Sequence, residues 1–150
     1  MEIIEIVERN DDIIYELCLL WERSVRATHH FLNEEDIESI KNYVPLALKD
    51  VPYLFIIKNN NSILGFMGIE NQKLAMLFID DQYRHQGLGK TLLLYGIKEF
   101  HINELTVNEQ NIKAFQFYSY MGFKTYRRSE LDEQGDHHPI LYMKRTVNSY

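Results

Sequence analysis

The chain has 150 residues, 45% hydrophobic and 13% aromatic, with 22 acidic and 16 basic side chains and a net charge of −6. That is the size of one globular domain with a core of its own, and it lacks the basic surplus through which nucleic-acid binders neutralise phosphate. The lone Cys18 excludes an internal disulfide framework and a multi-cysteine metal site, and fits a reducing compartment.

Residues 3–7 read as a short strand. Asn10 and Asp11 cap a helix starting at Asp12, on which Ile13, Ile14, Leu17, Leu20, Trp21 and Val25 follow helical spacing. Asn33 caps a second helix, with Glu34, Glu35 and Asp36 in its positive first turn and Ile37, Ile40 and Val44 as its apolar stripe. Pro45 leaves the end of that helix open. The period then changes to two. Residues 53–58, 63–70 and 74–79 are strands joined by Asn59-Asn60-Asn61-Ser62 and by Asn71-Gln72, which reads as an antiparallel meander. Residues 90–100 form a helix, 105–108 a short strand, and 112–121 a helix ended by Gly122. Residues 123–130 and 140–144 are the last strands. The order βααβββαβαββ predicts a mixed α+β sheet in one domain over 1–150. No apolar run reaches the ~18–20 residues of a membrane helix, and the acidic start lacks the basic region of a signal peptide. The expectation is a cytoplasmic protein with no membrane or nucleic-acid partner.

Residues 78–90 run from a strand through a loop into a helix and contain Arg84, Gly87, Gly89 and Lys90. Glycine lets the backbone approach a ligand closely. Amides at a helix start suit a phosphate, and the two cations can pair with it. A tight strand-to-helix turn with packing glycines explains the same residues. The segment is not a dinucleotide fingerprint, because Leu92 stands where a third glycine is needed, and it lacks the spacer of a P-loop. Downstream, Asn111, Phe115 and Tyr118 share one helix face at i, i+4 and i+7, beside Ala114, Phe117 and Met121. Alone, that helix reads as an aromatic core element.

Together, Arg84-His85-Gln86-Gly87-Leu88-Gly89 and the pattern Asn111-x-x-Ala114-x-x-Phe117-Tyr118-x-x-x-Gly122-Phe123 resemble two signature segments of the GNAT superfamily, the GCN5-related N-acetyltransferases. The element order resembles that family over nearly the whole chain. The stretch from Trp21 to Leu32 resembles a small bacterial branch reading Trp-x-x-Ser-Val-x-Ala-Thr-His-x-Phe-Leu. The resemblance implies a mainly antiparallel sheet with helices on both faces and a V-shaped split between strands 4 and 5. It implies acetyl-CoA as cofactor, its pantetheine arm held by the backbone of Leu77, Phe78 and Ile79. Arg84, His85, Gln86, Gly87, Leu88, Gly89 and Lys90 would cradle the pyrophosphate, and Asn111, Phe115 and Tyr118 would line the other side. The implied reaction moves an acetyl group to a primary amine of a small molecule or peptide in a ternary complex. A backbone N–H near Phe78 would stabilise the oxyanion, and Tyr118 would be the general acid.

The base is open. The strand segment Lys73-Leu74-Ala75-Met76-Leu77 carries no carboxylate where many members have one. His29, Glu70, Glu109 and a water relay are the alternatives; His29 also reads as a residue that only bonds backbone at a helix end. Trp21 and Thr28, seven apart on one helix face, are placed with Glu70 and Glu109 on the acceptor side, although Trp21 also reads as core. His30 reads as solvent-facing. His137 and His138 lack a third ligand at a sensible spacing, so no metal is expected. Cys18 reads as an inert helix thiol, against a ping-pong route. The competing function is a non-catalytic acyl-CoA-binding sensor or regulatory module, and the net charge argues against a charged-tRNA acceptor. The acceptor amine, and the choice between a monomer and a homodimer, stay open.

Overall fold

The computed structural model describes residues 1–133 and 135–146. Strands β1 (Glu2–Glu5), β2 (Tyr53–Asn59), β3 (Ser62–Glu70), β4 (Lys73–Ile79), β5 (Glu104–Asn108), β6 (Phe123–Ser129) and β7 (Ile140–Arg145) form one sheet of order β1-β2-β3-β4-β5-β7-β6. All neighbours are antiparallel except β4 and β5. The helices are α1 (Asp11–Thr28), α2 (Glu34–Lys41), α3 (Val44–Asp50), α4 (Leu88–Phe100) and α5 (Ile112–Tyr120). None among the described residues is long and apolar enough to cross a membrane.

Local chemistry accounts for the boundaries. Asn10 Oδ1 accepts from the Ile13 amide at 3.0 Å and opens α1. Asn33 and Asp36 form a reciprocal capping box at the start of α2, with bonds of 2.8 and 3.1 Å. The hairpins turn at Asn60 and Asn71, both at φ 55, a left-handed conformation that asparagine tolerates. One element was not expected. α2 stops at Lys41 and a separate helix, α3, begins at Val44 with Pro45 in its first turn, where a missing N–H breaks no helical bond. Val44 therefore starts α3 rather than extending the stripe of α2.

Alternation along β2 builds two cores. Phe55 and Ile57 pack with Met67, Ile69 and the α4 residues Leu88, Leu92 and Leu93. Leu54 and Ile56 pack on the opposite face with Phe66, Leu17, Leu20, Trp21 and Leu48, from β3, α1 and α3. Helices thus cover both faces of the sheet.

The β4–β5 pairing is the irregular part. Only Lys73↔Glu104 and Leu74↔Leu105 are in register, and β4 runs on to Ile79 without a neighbour on that side. Its other edge is held by β3, from Gly65↔Ile79 to Glu70↔Lys73. That grip is tight at Gly65, where a Cβ would stand 2.6 Å from Ile79 Cδ1 and 2.8 Å from the Phe78 carbonyl oxygen. Because one obstacle is backbone, we expect Gly65→Ala to lower stability by ~1–3 kcal/mol in urea unfolding; unchanged stability would mean that β3 and β4 lie less closely together.

Candidate active site

Where β4 leaves β5, a cavity of about 730 Å³ opens. Its walls are the C-terminal turn of α1 with Phe31, residues 74–79 of β4, the loop into α4, residues 106–108 of β5 and the first two turns of α5.

One end is built to meet an anion. β4 is followed by Asp80, which is only 4% exposed. Its carboxylate accepts from Arg23 of α1, Nη2 at 2.8 Å and Nε at 3.3 Å. Its amide bonds the Leu64 carbonyl at 2.8 Å, and its carbonyl accepts from the Tyr83 amide at 2.9 Å, closing a short 3₁₀ turn over Asp81–Tyr83. The chain then takes left-handed conformations at His85 (φ 65) and Gly87 (φ 76), and Gly87 opens α4 without a side-chain cap. The first amides of a helix have no partner within it and sit at the positive end of its dipole. Gly89 faces the cavity: a Cβ there would point towards Phe117 Cζ at 3.7 Å and Ile79 Cγ1 at 3.9 Å. Arg84 pairs with Asp81 at 3.3 Å, and Lys90 donates to the Tyr120 hydroxyl at 3.1 Å, tying α4 to α5. Uncapped amides, a glycine facing the cavity and two cations fit a pyrophosphate.

The other end holds Asn111 and His29, and no carboxylate is among the described lining residues. Asn111 caps α5, its Oδ1 accepting from the Ala114 amide at 3.2 Å, while its Nδ2 lies 3.3 Å from His29 Nε2. His29 Nδ1 lies 2.7 Å from Thr28 Oγ1. The imidazole packs near the rings of Phe31 and Phe78, with centroids 5.4 and 6.4 Å away. Burial, helped by the neighbouring His30, pushes its pKa down to about 4. Tyr118 lines the cavity on α5, between the rings of Phe117 and Phe123. Burial raises the pKa of its phenol well above the ordinary value. Among the described residues its hydroxyl makes no hydrogen bond.

The cavity brings together Leu77, Phe78, Ile79, Arg84, His85, Gly87, Leu88, Gly89, Lys90, Asn111, Tyr118, Thr28 and His29. Five expected site residues lie elsewhere. Glu70 closes the β3–β4 hairpin and borders a separate hollow with Lys73, Asn103 and Glu104, outside the lining of the cavity. Trp21 is 4% exposed in the core beneath α1, the competing reading for that residue. Glu109 is outside the lining and paired with Arg128 at 2.8 Å. Phe115 packs against the core behind the cavity wall, and Gln86 is an exposed loop residue. The Arg23–Asp80 pair was missed by the sequence reading. Its partners are 57 residues apart, and no spacing rule joins them.

The acetyltransferase (GNAT) domain family matches residues 22–146. The peptidyl-lysine N-acetyltransferase YjaB of Escherichia coli strain K12 is 36% identical over 126 residues, covering 84% of this chain and 86% of that protein. The solution structure of apo YjaB from Escherichia coli superposes with a TM-score of 0.85 at 32% identity, over 99% of this chain and 100% of that one. The PaiA N-acetyltransferase of Thermoplasma acidophilum, crystallised with coenzyme A, has the same fold, with a TM-score of 0.66 at 24% identity over 97% of this chain and 100% of that one.

His29 makes stability depend on pH in a definite direction. The folded chain keeps the imidazole neutral down to about 4, while the unfolded chain takes up a proton near the ordinary ~6.5. The contribution is therefore whole above ~6.5 and is lost as pH falls towards 4. We expect wild type to lose about 2 kcal/mol between pH 7 and pH 5 that His29→Gln does not lose, measured by urea unfolding at both values. Equal losses in the two proteins would contradict a buried neutral imidazole.

Proposed function

The chain belongs to the GNAT acetyltransferase family and is an N-acetyltransferase; from that premise we propose that its acceptor is the lysine side-chain amine of a peptide or protein. The name of the YjaB relatives supports this acceptor class. The observation that carries the reading is the character of the acceptor end. Among the described residues no carboxylate lines the cavity. An ammonium ion has no counter-charge there, while a neutral alkyl amine meets Phe31, Phe78 and the imidazole of His29.

Acetyl-CoA supplies the activated acetyl group of this family. In our reading the edge of residues 77–79, unpaired on the β5 side, holds the pantetheine arm, and the amides of residues 88–90 with Arg84 and Lys90 hold the pyrophosphate. Asn111 borders the arm from α5, with Phe115 packed behind it. A backbone N–H near Phe78 would stabilise the developing oxyanion. Tyr118 keeps its proton at neutral pH because burial disfavours the phenolate; as general acid it would give that proton to the departing thiolate, and the proton shed by the attacking nitrogen as the amide forms would restore the phenol. His29 is not a strong base. An imidazole titrating at about 4 does not deprotonate an alkylammonium of pKa ~10. The amine therefore arrives as the free base, and Nε2 accepts one of its hydrogens and aligns its lone pair.

Thiol release with acetyl-CoA and a capped lysine peptide tests the acceptor class; no release above that with the acetyl-lysine peptide would refute it. Tyr118→Phe should lower turnover by ~10²-fold or more while leaving acetyl-CoA affinity by calorimetry nearly unchanged. Equal turnover would remove the acid role. The acidic limb of kcat/KM should follow the pKa of the acceptor when lysine is replaced by an amine of lower pKa. A limb fixed near 6.5 for both acceptors would restore histidine as the titrating base.

A further inference from the structure

We propose that Thr28 is a positioning residue that holds the His29 imidazole in its Nδ1–H tautomer and so presents Nε2 to the cleft as a bare acceptor. This rests on the reading of His29 as the group that receives the amine hydrogen.

The heavy-atom geometry assigns every hydrogen in the chain of contacts. Asn111 Oδ1 receives the Ala114 amide at the start of α5, which fixes which end of the side-chain amide is oxygen. The atom 3.3 Å from His29 Nε2 is therefore Nδ2, a donor with no acceptor capacity. Nε2 must accept, so the proton of the neutral ring is on Nδ1. Nδ1 lies 2.7 Å from Thr28 Oγ1, whose own hydrogen is directed to the Ser24 carbonyl, also at 2.7 Å. Asn111 gives to His29, His29 gives to Thr28, and Thr28 gives to the backbone of α1.

The other tautomer would set Nε2–H against Nδ2–H and would require the threonine hydrogen to leave the Ser24 carbonyl. An imidazolium meets the same obstacle at Nε2. The arrangement is anchored on both sides of the split. Thr28 is the last residue of α1, and His29 caps that helix with its amide on the Val25 carbonyl at 2.8 Å. Asn111 belongs to the opposite wall. Its amide occupies the direction from which an amine N–H would reach Nε2, so an entering acceptor exchanges one N–H donor for another and the ring keeps its tautomer.

Thr28→Val keeps the branched shape but removes the oxygen that receives Nδ1–H, whereas Thr28→Ser keeps it. The tautomer is read from the two imidazole nitrogen shifts of His29 in 15N-labelled protein at pH 7, and turnover from thiol release with the capped lysine peptide. Acetyl-CoA binding by calorimetry confirms that each variant is folded, with Thr28→Ala as a second variant should valine disturb the helix end. We expect Thr28→Val to lose the pure Nδ1–H signature and to lower kcat on the order of 10–100-fold, with KM for acetyl-CoA changed less than about twofold, and Thr28→Ser to restore both. An unchanged nitrogen signature in Thr28→Val would overturn the proposal while leaving the reading of His29 intact. A changed signature with unchanged kcat would overturn the role of His29 itself, and with it any catalytic meaning for its tautomer.

Discussion

After Leu74 the parallel pair β4–β5 comes apart, and the rest of the molecule is arranged around that loss of backbone pairing. A strand inside a sheet cannot leave its amides and carbonyls unsatisfied without cost. Here residues 75–79 meet a cavity instead of a neighbouring strand. The unpaired edge is held in place because β3 pairs with the other edge and because Gly65 leaves little room between the two strands. Its far end is pinned by Asp80, which carries the buried charge that Arg23 neutralises. Each wall of the split has its own helix, α1 beside β4 and α5 beside β5, and the His29–Asn111 contact joins the two across the gap.

The electrostatics divide the cleft in the same way. Arg84, Lys90 and the uncapped start of α4 occupy the anion end, while the His29–Asn111 end carries no carboxylate among the described lining residues. The acidic surplus of the chain is spent outside the cleft, for example where Glu22 and Glu34 bond Arg26 in exposed ion pairs that add little stability. Net charge therefore says little about what the cleft accepts.

Much of this was legible in the sequence because the responsible forces are local. Asn10 and Asn33 announced α1 and α2 through capping, and strand alternation together with Asn60 and Asn71 announced the meander. Gly87, Gly89 and Lys90 announced a loop opening onto a helix start. What stayed hidden depends on contacts distant in sequence. Helix α3 was not foreseen because Pro45 left the end of the second helix open, and only the structure shows it in a first turn. Glu70 looked close to the site along the chain, but a hairpin carries it to the end of β3 farthest from Ile79. The weak basicity of His29 comes from burial, with the neighbouring His30 adding to it, and the Arg23–Asp80 anchor comes from tertiary packing of α1 on the sheet.

In our reading the acetyl donor binds in the split between β4 and β5, with α4 and α5 at its ends. A titration of 15N-labelled protein with acetyl-CoA, followed by backbone amide shifts, tests it most directly. Large shifts are expected at residues 76–79, 85–90 and 111–118, with the hairpin at Glu70 and the buried ring of Trp21 unmoved. Binding that shifted the Glu70 hairpin and left residues 76–79 and 85–90 in place would contradict it.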